Sequence, residues 1–179
     1  MAGTIVLIHG AWMTPACWDG FARRYRDRGY TVIAPDLRGI GDLLPEYPRN
    51  APRHGRSHQS EEAYAWSSLI LGKPLLGQRV TDLVAIVRAM NAPVRVAALD
   101  TMTVPAAFAM ALEPSIELLH CSGGLASYRS LLESEAYSHP FANFLPGVLE
   151  ETDLPQLLAG RRVIYQKEAR WDLETLARL

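Results

Sequence analysis

The chain has 179 residues, of which 49% are hydrophobic and 21% are charged, and its formal net charge is -1. This length predicts one domain with a substantial core, and the small charge excludes a general attraction to nucleic acid or to an anionic membrane. No apolar run approaches the ~20 residues that cross a bilayer, and the two cysteines, Cys17 and Cys121, predict no disulfide framework. We therefore expect a cytoplasmic protein.

The first predicted elements are two short apolar strands with a helix between them. Residues 4–8 are β-branched residues and leucine in a run that ends at His9 and Gly10, and residues 30–35 form the second run. The order strand, helix, strand is typical of a parallel α/β sheet. Residues 43–60 interleave proline with arginine and histidine, which predicts a long surface loop.

Strands and helices alternate along the rest of the chain. Apolar runs predict strands over 94–99, 116–121 and 162–165, and helical periodicity predicts helices over 61–71, 76–90, 104–112, 126–135, 152–160 and 171–179. Thr152 or Asp153 is the expected N-cap of the short helix that ends at Gly160. Together these elements predict a three-layer α/β/α sandwich with a mostly parallel central sheet, in a single domain spanning residues 1–179.

Two stretches resemble known hydrolases. Residues 4–42, with the phrases IHGAW and APDLRGIGD, resemble the opening of single-domain α/β-hydrolases. Residues 60–165, above all the phrase GKPLLGQR over 72–79, resemble bacterial acetyl-xylan-esterase-like and prolyl-oligopeptidase-like hydrolases. The resemblance implies an α/β-hydrolase-like fold that is shortened at its C-terminal end, because no further strand is predicted after 162–165.

The resemblance also implies a site for the negative charge that develops during acyl transfer. In the hydrolases that this chain resembles, the turn corresponding to His9 and Gly10 shapes the oxyanion hole, and a nearby backbone amide donates to it. The matching residues here are His9, Gly10, Ala11 and Trp12, with Ala11 or Trp12 as the donor. The alternative is that His9 only fixes the end of a strand.

The nucleophile is harder to assign, because the G-x-S-x-G motif of the family is missing. By element order the nucleophile turn should follow the strand at 94–99, which places Asp100 there. Aspartate nucleophiles are known in the haloalkane dehalogenases and epoxide hydrolases. Met102 stands where a small residue is expected, which argues against a tight turn. The alternative is that Asp100 caps the next helix, with Thr103 as a rival cap.

Other candidate catalytic residues lie further along the chain. Ser122 follows the next strand and precedes two glycines, and Cys121 beside it is an alternative thiol nucleophile, unless the segment is only a glycine-rich turn with a buried cysteine. His139 is the last histidine and the candidate base, unless it belongs to a local turn. Glu168 and Asp172 stand roughly where the acid of a triad would lie.

These observations favour a hydrolase of carboxylic esters or related acyl compounds, with an incomplete triad and weak or absent activity. One alternative is a non-catalytic protein that binds a small apolar ligand or a partner in the same cleft. Another is a truncated or recombined chain that a partner subunit completes, which leaves room for a homo-oligomer. We expect no cofactor, no metal, no nucleic acid and no membrane, since His54 and His58 alone are a weak signal for metal.

Overall fold

The computed structural model describes residues 3–8, 15–34, 60–133 and 139–167. In this part of the chain, five parallel strands form one sheet in the order β2-β1-β3-β4-β5. The strands are β1 Thr4–Ile8, β2 Thr31–Ile33, β3 Val94–Leu99, β4 Ile116–Ser122 and β5 Val163–Gln166. The predicted parallel sheet is confirmed.

Helices connect the strands. The α-helices of the described residues are α1 Asp19–Arg26, α2 Ser60–Ile70, α3 Leu75–Ala89, α4 Thr103–Leu112, α5 Val148–Glu151 and α6 Leu154–Leu157. Gly29 follows α1 with a φ of 85°, a conformation that glycine adopts without steric cost. The helix predicted over 171–179 and the loop predicted over 43–60, except for Ser60 in α2, lie outside the described residues.

Both faces of the sheet are covered, because successive side chains of a strand point to opposite sides. Val6 of β1 belongs to a cluster with buried residues of α3, α4 and α6, whereas Ile5 and Leu7 belong to a second cluster with Tyr25 of α1. β1 is therefore apolar on both faces, as its continuous hydrophobic run predicts. These contacts confirm the three layers.

One predicted helix is wrong. The segment expected to be an α-helix over 126–135 contains a 3₁₀ helix at Tyr128–Leu132 in its described part. The backbone N–H of Tyr128 donates to the Asp153 carboxylate over 2.7 Å, and that of Arg129 donates to the Ser127 hydroxyl over 3.1 Å. Local side-chain acceptors of this kind compete with the hydrogen bonds of a helix.

The carboxyl ends of three central strands meet at one edge of the sheet. Ile8 of β1 is paired with Ala98 of β3, and Leu99 of β3 is paired with Ser122 of β4. The chain leaves β1 for β2 on one side, whereas β3 lies on the other side of β1. Such a reversal in strand order opens a crevice at the carboxyl edge, where α/β proteins bind their ligands. The candidate residues Asp100 and Ser122 both lie at this edge.

Candidate active site

Asp100 occupies a strained turn at the end of β3. Its φ is 51°, and it opens the 3₁₀ turn Asp100–Met102 that leads into α4. Among the described residues, Asn91 is the only other non-glycine residue with a positive φ. This conformation costs an L-residue about 1–2 kcal/mol, and such strain clusters at functional sites. The side chain of Asp100 is exposed at the carboxyl edge of the sheet.

The turn is closed by residues from two other positions. The Thr103 hydroxyl donates to the carbonyl oxygen of Asp100 over 2.7 Å. A Cβ at Gly124, whose φ is 79°, would overlap both the Thr103 hydroxyl and the Asp100 carbonyl oxygen. In G-x-S-x-G, the glycines on either side of the nucleophile leave room for the tight turn. Here the room is left by Gly124, which lies in the turn after β4.

Two expectations about this turn are corrected. Met102 does not prevent it, because the Met102 side chain is fully buried in the cluster beneath α4. Asp100 is not the N-cap of α4 either, since the helix begins at Thr103, its N-cap is Met102 and no side-chain hydrogen bond caps it. The Thr103 hydroxyl instead binds Asp100. The position of Asp100 is therefore not explained by helix capping.

His139 lies close enough to Asp100 for the charge of the carboxylate to act on the pKa of the imidazole. Burial lowers the pKa of His139 to about 4, while the negative charge of Asp100 opposes that shift. The imidazole is therefore neutral at pH 7. Its Nε2 atom lies 3.2 Å from the side-chain nitrogen of Asn143, which also donates to the carbonyl oxygen of Thr101 over 2.6 Å. Asn143 thus joins His139 to the Asp100 turn.

An apolar groove lies beside these residues. Its volume is about 320 Å³, within the range of small-molecule sites. It is lined by Tyr128, Leu131, Leu132, Phe144, Leu145, Gly147, Val148, Leu149 and Glu150. Phe144 connects the groove with the polar residues, because its ring centroid is 6.3 Å from that of His139. The groove offers a surface for an apolar substituent next to His139.

The family follows from a comparison with family models. The model described as "Alpha/beta hydrolase family" matches residues 5–178. The chain belongs to the α/β-hydrolase family. The narrower resemblance to acetyl-xylan-esterase-like and prolyl-oligopeptidase-like hydrolases stays a prediction. No curated protein matches the chain significantly.

Several solved structures are similar to the chain at low sequence identity. Pyrethroid hydrolase PytH is 15% identical with a TM-score of 0.50, and the match covers 78% of this chain and 49% of that one. An extracellular α/β-hydrolase from a Paenibacillus species is 19% identical with a TM-score of 0.48, covering 69% and 41%. Tomato methylketone synthase I is 18% identical with a TM-score of 0.49, covering 70% and 41%. The chain therefore spans less than half the length of each.

The alternative nucleophiles lie inside the sheet. Ser122 is the last residue of β4 and is fully buried. It therefore lies within a strand and not in a strained turn. Cys121 is also buried, and burial raises the pKa of its thiol to about 12, which disfavours the reactive thiolate. Ser122 stays a prediction, as does Asp100 at the positive-φ turn after β3.

Several predicted site residues lie outside the described residues. They are His9, Gly10, Ala11 and Trp12 of the predicted oxyanion hole, Glu168 and Asp172, and His54 and His58. In the part of the chain that the structure describes, no group of three His, Cys, Asp or Glu side chains could hold a metal ion. Among the same residues, no helix is long and apolar enough to span a membrane.

Sequence reasoning missed Gly124 and Asn143. Each acts on the Asp100 turn from a distant part of the chain, since Asn143 binds a carbonyl 42 residues before it. The glycine pair after β4 was a visible signal, because a glycine with positive φ is typical of a close approach between backbones. Nothing in the residues around Asn143 indicates its partners.

The neutral state of His139 predicts an acid-sensitive fold. Folded His139 binds its proton only below about pH 4, whereas an unfolded histidine binds it below about 6.5. The unfolded state therefore holds more protons between these values, and stability falls as the pH is lowered from 6.5 to 4. We expect His139 to account for about 1–3 kcal/mol, less than the full shift because the side chain is only partly buried.

Urea unfolding at pH 7.5 and 4.5 measures this effect. Burial also lowers the pKa of His120, so part of the loss persists in any variant of His139. His139→Gln keeps an acceptor for Asn143 but does not titrate, and its stability should depend less on pH than that of the wild-type chain. Equal losses in both proteins would show that His139 is not the group responsible.

Proposed function

We propose that this α/β-hydrolase hydrolyses carboxylic esters or related acyl compounds, with Asp100 as its catalytic base. The observation that carries the proposal is the left-handed backbone of Asp100 at the carboxyl end of β3. A φ of 51° at the end of a buried strand is a conformation that few L-residues other than asparagine and aspartate adopt, and no capping role explains it here. The carboxylate at this turn is exposed, and its charge acts on His139.

Acyl chemistry favours a base over a nucleophile at this position. A carboxylate that attacked an ester would have to form an anhydride. The tetrahedral intermediate before the anhydride would expel the carboxylate more readily than the alkoxide, because the carboxylate is the better leaving group. Asp100 instead takes a proton from a water molecule as the water oxygen bonds to the acyl carbon. When the bond to the leaving group breaks, Asp100 returns the proton to the departing oxygen and the carboxylate is regenerated.

The surroundings of Asp100 support an acyl substrate with an apolar part. The groove that includes Phe144 and Leu145 accommodates such a part beside His139. His9, Gly10, Ala11 and Trp12 remain the proposed oxyanion and substrate-binding residues, on the strength of the family's His-Gly turn. The same groove favours a second candidate function, in which the protein binds a small apolar ligand without turning it over.

Hydrolysis of p-nitrophenyl esters of short and medium-length fatty acids tests the proposal. Asp100→Asn removes the base and should lower kcat/KM by about 10²–10⁴-fold. Asp27→Asn is the matched control, because Asp27 is an exposed carboxylate at the end of α1 and not at the carboxyl edge of the sheet. Its kcat/KM should match that of the wild-type chain.

Ser122→Ala separates the two candidate residues. We expect it to retain turnover, since Ser122 is fully buried in β4. A loss confined to Ser122→Ala would assign the chemistry to Ser122 and overturn the role of Asp100. Unchanged rates in both variants would contradict the hydrolase mechanism as a whole. Wild-type protein that binds an apolar ester analogue without hydrolysing any ester would favour the binding function.

A further inference from the structure

Asn143 is a fully buried polar residue near the Asp100 turn, and its side chain connects two parts of the site. None of its surface is exposed. The side-chain nitrogen Nδ2 donates to the carbonyl oxygen of Thr101 over 2.6 Å and lies 3.2 Å from Nε2 of His139. The orientation of the amide is determined, because a flip would place Oδ1 against the Thr101 carbonyl oxygen, and two acceptors repel each other.

The contact with His139 determines which ring nitrogen carries the proton. An amide nitrogen has hydrogens to donate and no lone pair to accept with, so Nε2 of His139 must be the acceptor. In a neutral imidazole one nitrogen accepts and the other carries hydrogen, which places the proton on Nδ1. The lone pair that a histidine base would use is therefore already engaged by Asn143.

We infer that Asn143 is a positioning residue that holds His139 beside the Asp100 turn as a neutral hydrogen-bond donor through Nδ1, rather than as a base. Such a donor suits an acceptor on the substrate, namely the carbonyl oxygen of an acyl compound or the oxyanion that develops from it. This role in catalysis rests on the proposed function. The tautomer itself rests only on the contacts of Asn143.

The surroundings keep this arrangement in place. The hydroxyl of Tyr128 donates to the main-chain carbonyl oxygen of Asn143 over 2.6 Å, a bond that does not involve the side-chain amide. Burial disfavours the charged imidazolium, so His139 stays neutral and does not become a second donor toward Asn143. The ring of Phe144 lies beside the imidazole, with ring centroids 6.3 Å apart.

Nitrogen NMR of the full chain at pH 7 tests the tautomer without any substitution. The two ring nitrogens of a neutral histidine have distinct ¹⁵N shifts, and loss of one set of signals in His139→Gln assigns the His139 ring. We expect a protonated Nδ1 and an unprotonated Nε2. The opposite tautomer would overturn the inference, whatever the activity of the protein.

Two variants then test whether the amide of Asn143 is responsible. Asn143→Asp replaces the donor with an acceptor, so the His139 proton should move to Nε2 and kcat should fall about tenfold or more, with KM changed less. Tyr128→Phe is the control, because it removes the bond to the Asn143 backbone and leaves the amide, so the tautomer should not change.

The outcomes separate this inference from the proposed function. A folded Asn143→Asp protein with an unchanged tautomer, or a switch in Tyr128→Phe as well, would overturn the role of the amide. If Asn143→Asp does not fold, the wild-type tautomer alone decides. If the tautomer is as expected but Asp100→Asn hydrolyses esters normally, the proposed function fails and the positioning of His139 stands.

Discussion

Replacing Gly124 with alanine is expected to lower the free energy of unfolding by about 2–5 kcal/mol. One part of this cost is the φ of 79°, which L-residues rarely adopt. The other part is the overlap of the new methyl group with the Thr103 hydroxyl and the Asp100 carbonyl oxygen. Because the second atom belongs to the backbone, the Asp100 turn must move, and ester hydrolysis should fall as well.

Gly160→Ala provides the matched control. Gly160 has a φ of 77°, and a Cβ built there meets no atom within 4 Å. Its substitution should therefore cost only the backbone strain, about 1–2 kcal/mol. Urea unfolding of the two variants isolates the contribution of the crowded turn. Equal losses of stability would show that Gly124 does not contact the Asp100 turn.

Removing the carboxylate of Asp153 is the second substitution with a large expected effect. Asp153 is 4% exposed and accepts hydrogen bonds from the Ser127 hydroxyl and from the backbone N–H groups of Tyr128 and Leu154. Asp153→Ala leaves these donors unsatisfied and removes the N-cap of α6, which should destabilise the fold by about 3–5 kcal/mol. Thermal and urea unfolding measure the loss.

Thr152→Ala is the control for this substitution. The Thr152 hydroxyl makes one hydrogen bond of 3.3 Å, to the carbonyl oxygen of Asp153, so its loss should cost less than about 1 kcal/mol. Burial alone would raise the pKa of Asp153, but its hydrogen bonds outweigh burial and lower it. If Asp153→Ala were no less stable than Thr152→Ala, the carboxylate would not be what joins the segment after β4 to α6.

The sheet could be predicted from sequence because each of its strands is a local signal. Runs such as residues 94–99 are apolar apart from Arg95, and such a run is typical of a parallel strand that is covered on both faces. Asp100 could be placed for the same reason, since it directly follows such a run. Its φ could not be predicted, because Thr103 and Gly124 hold the turn from beyond the strand.

The parts that could not be predicted depend on contacts between distant residues. The segment at 126–135 has helical spacing, but the carboxylate of Asp153 accepts a hydrogen bond from the Tyr128 amide, and residues 128–132 form a 3₁₀ helix. Likewise, the sequence alone made His139 the candidate base. Only the buried amide of Asn143 shows that its Nε2 atom is already an acceptor.

Substitutions of Asp100 itself test most directly whether its carboxylate takes part in catalysis at this positive-φ position. Glycine adopts positive φ without steric cost, whereas alanine pays about 1–2 kcal/mol. Asn91, with a φ of 48° at an exposed turn after α3, serves as the control position. There, glycine should also be more stable than alanine, but neither substitution should alter ester hydrolysis.

The decisive measurement compares Asp100→Gly with Asp100→Ala in urea unfolding and in ester turnover. We expect the glycine variant to be about 1 kcal/mol more stable than the alanine variant, and both variants to lose hydrolysis. A glycine variant no more stable than the alanine variant would contradict the left-handed turn at Asp100. Full turnover in either variant would contradict the use of this carboxylate in catalysis.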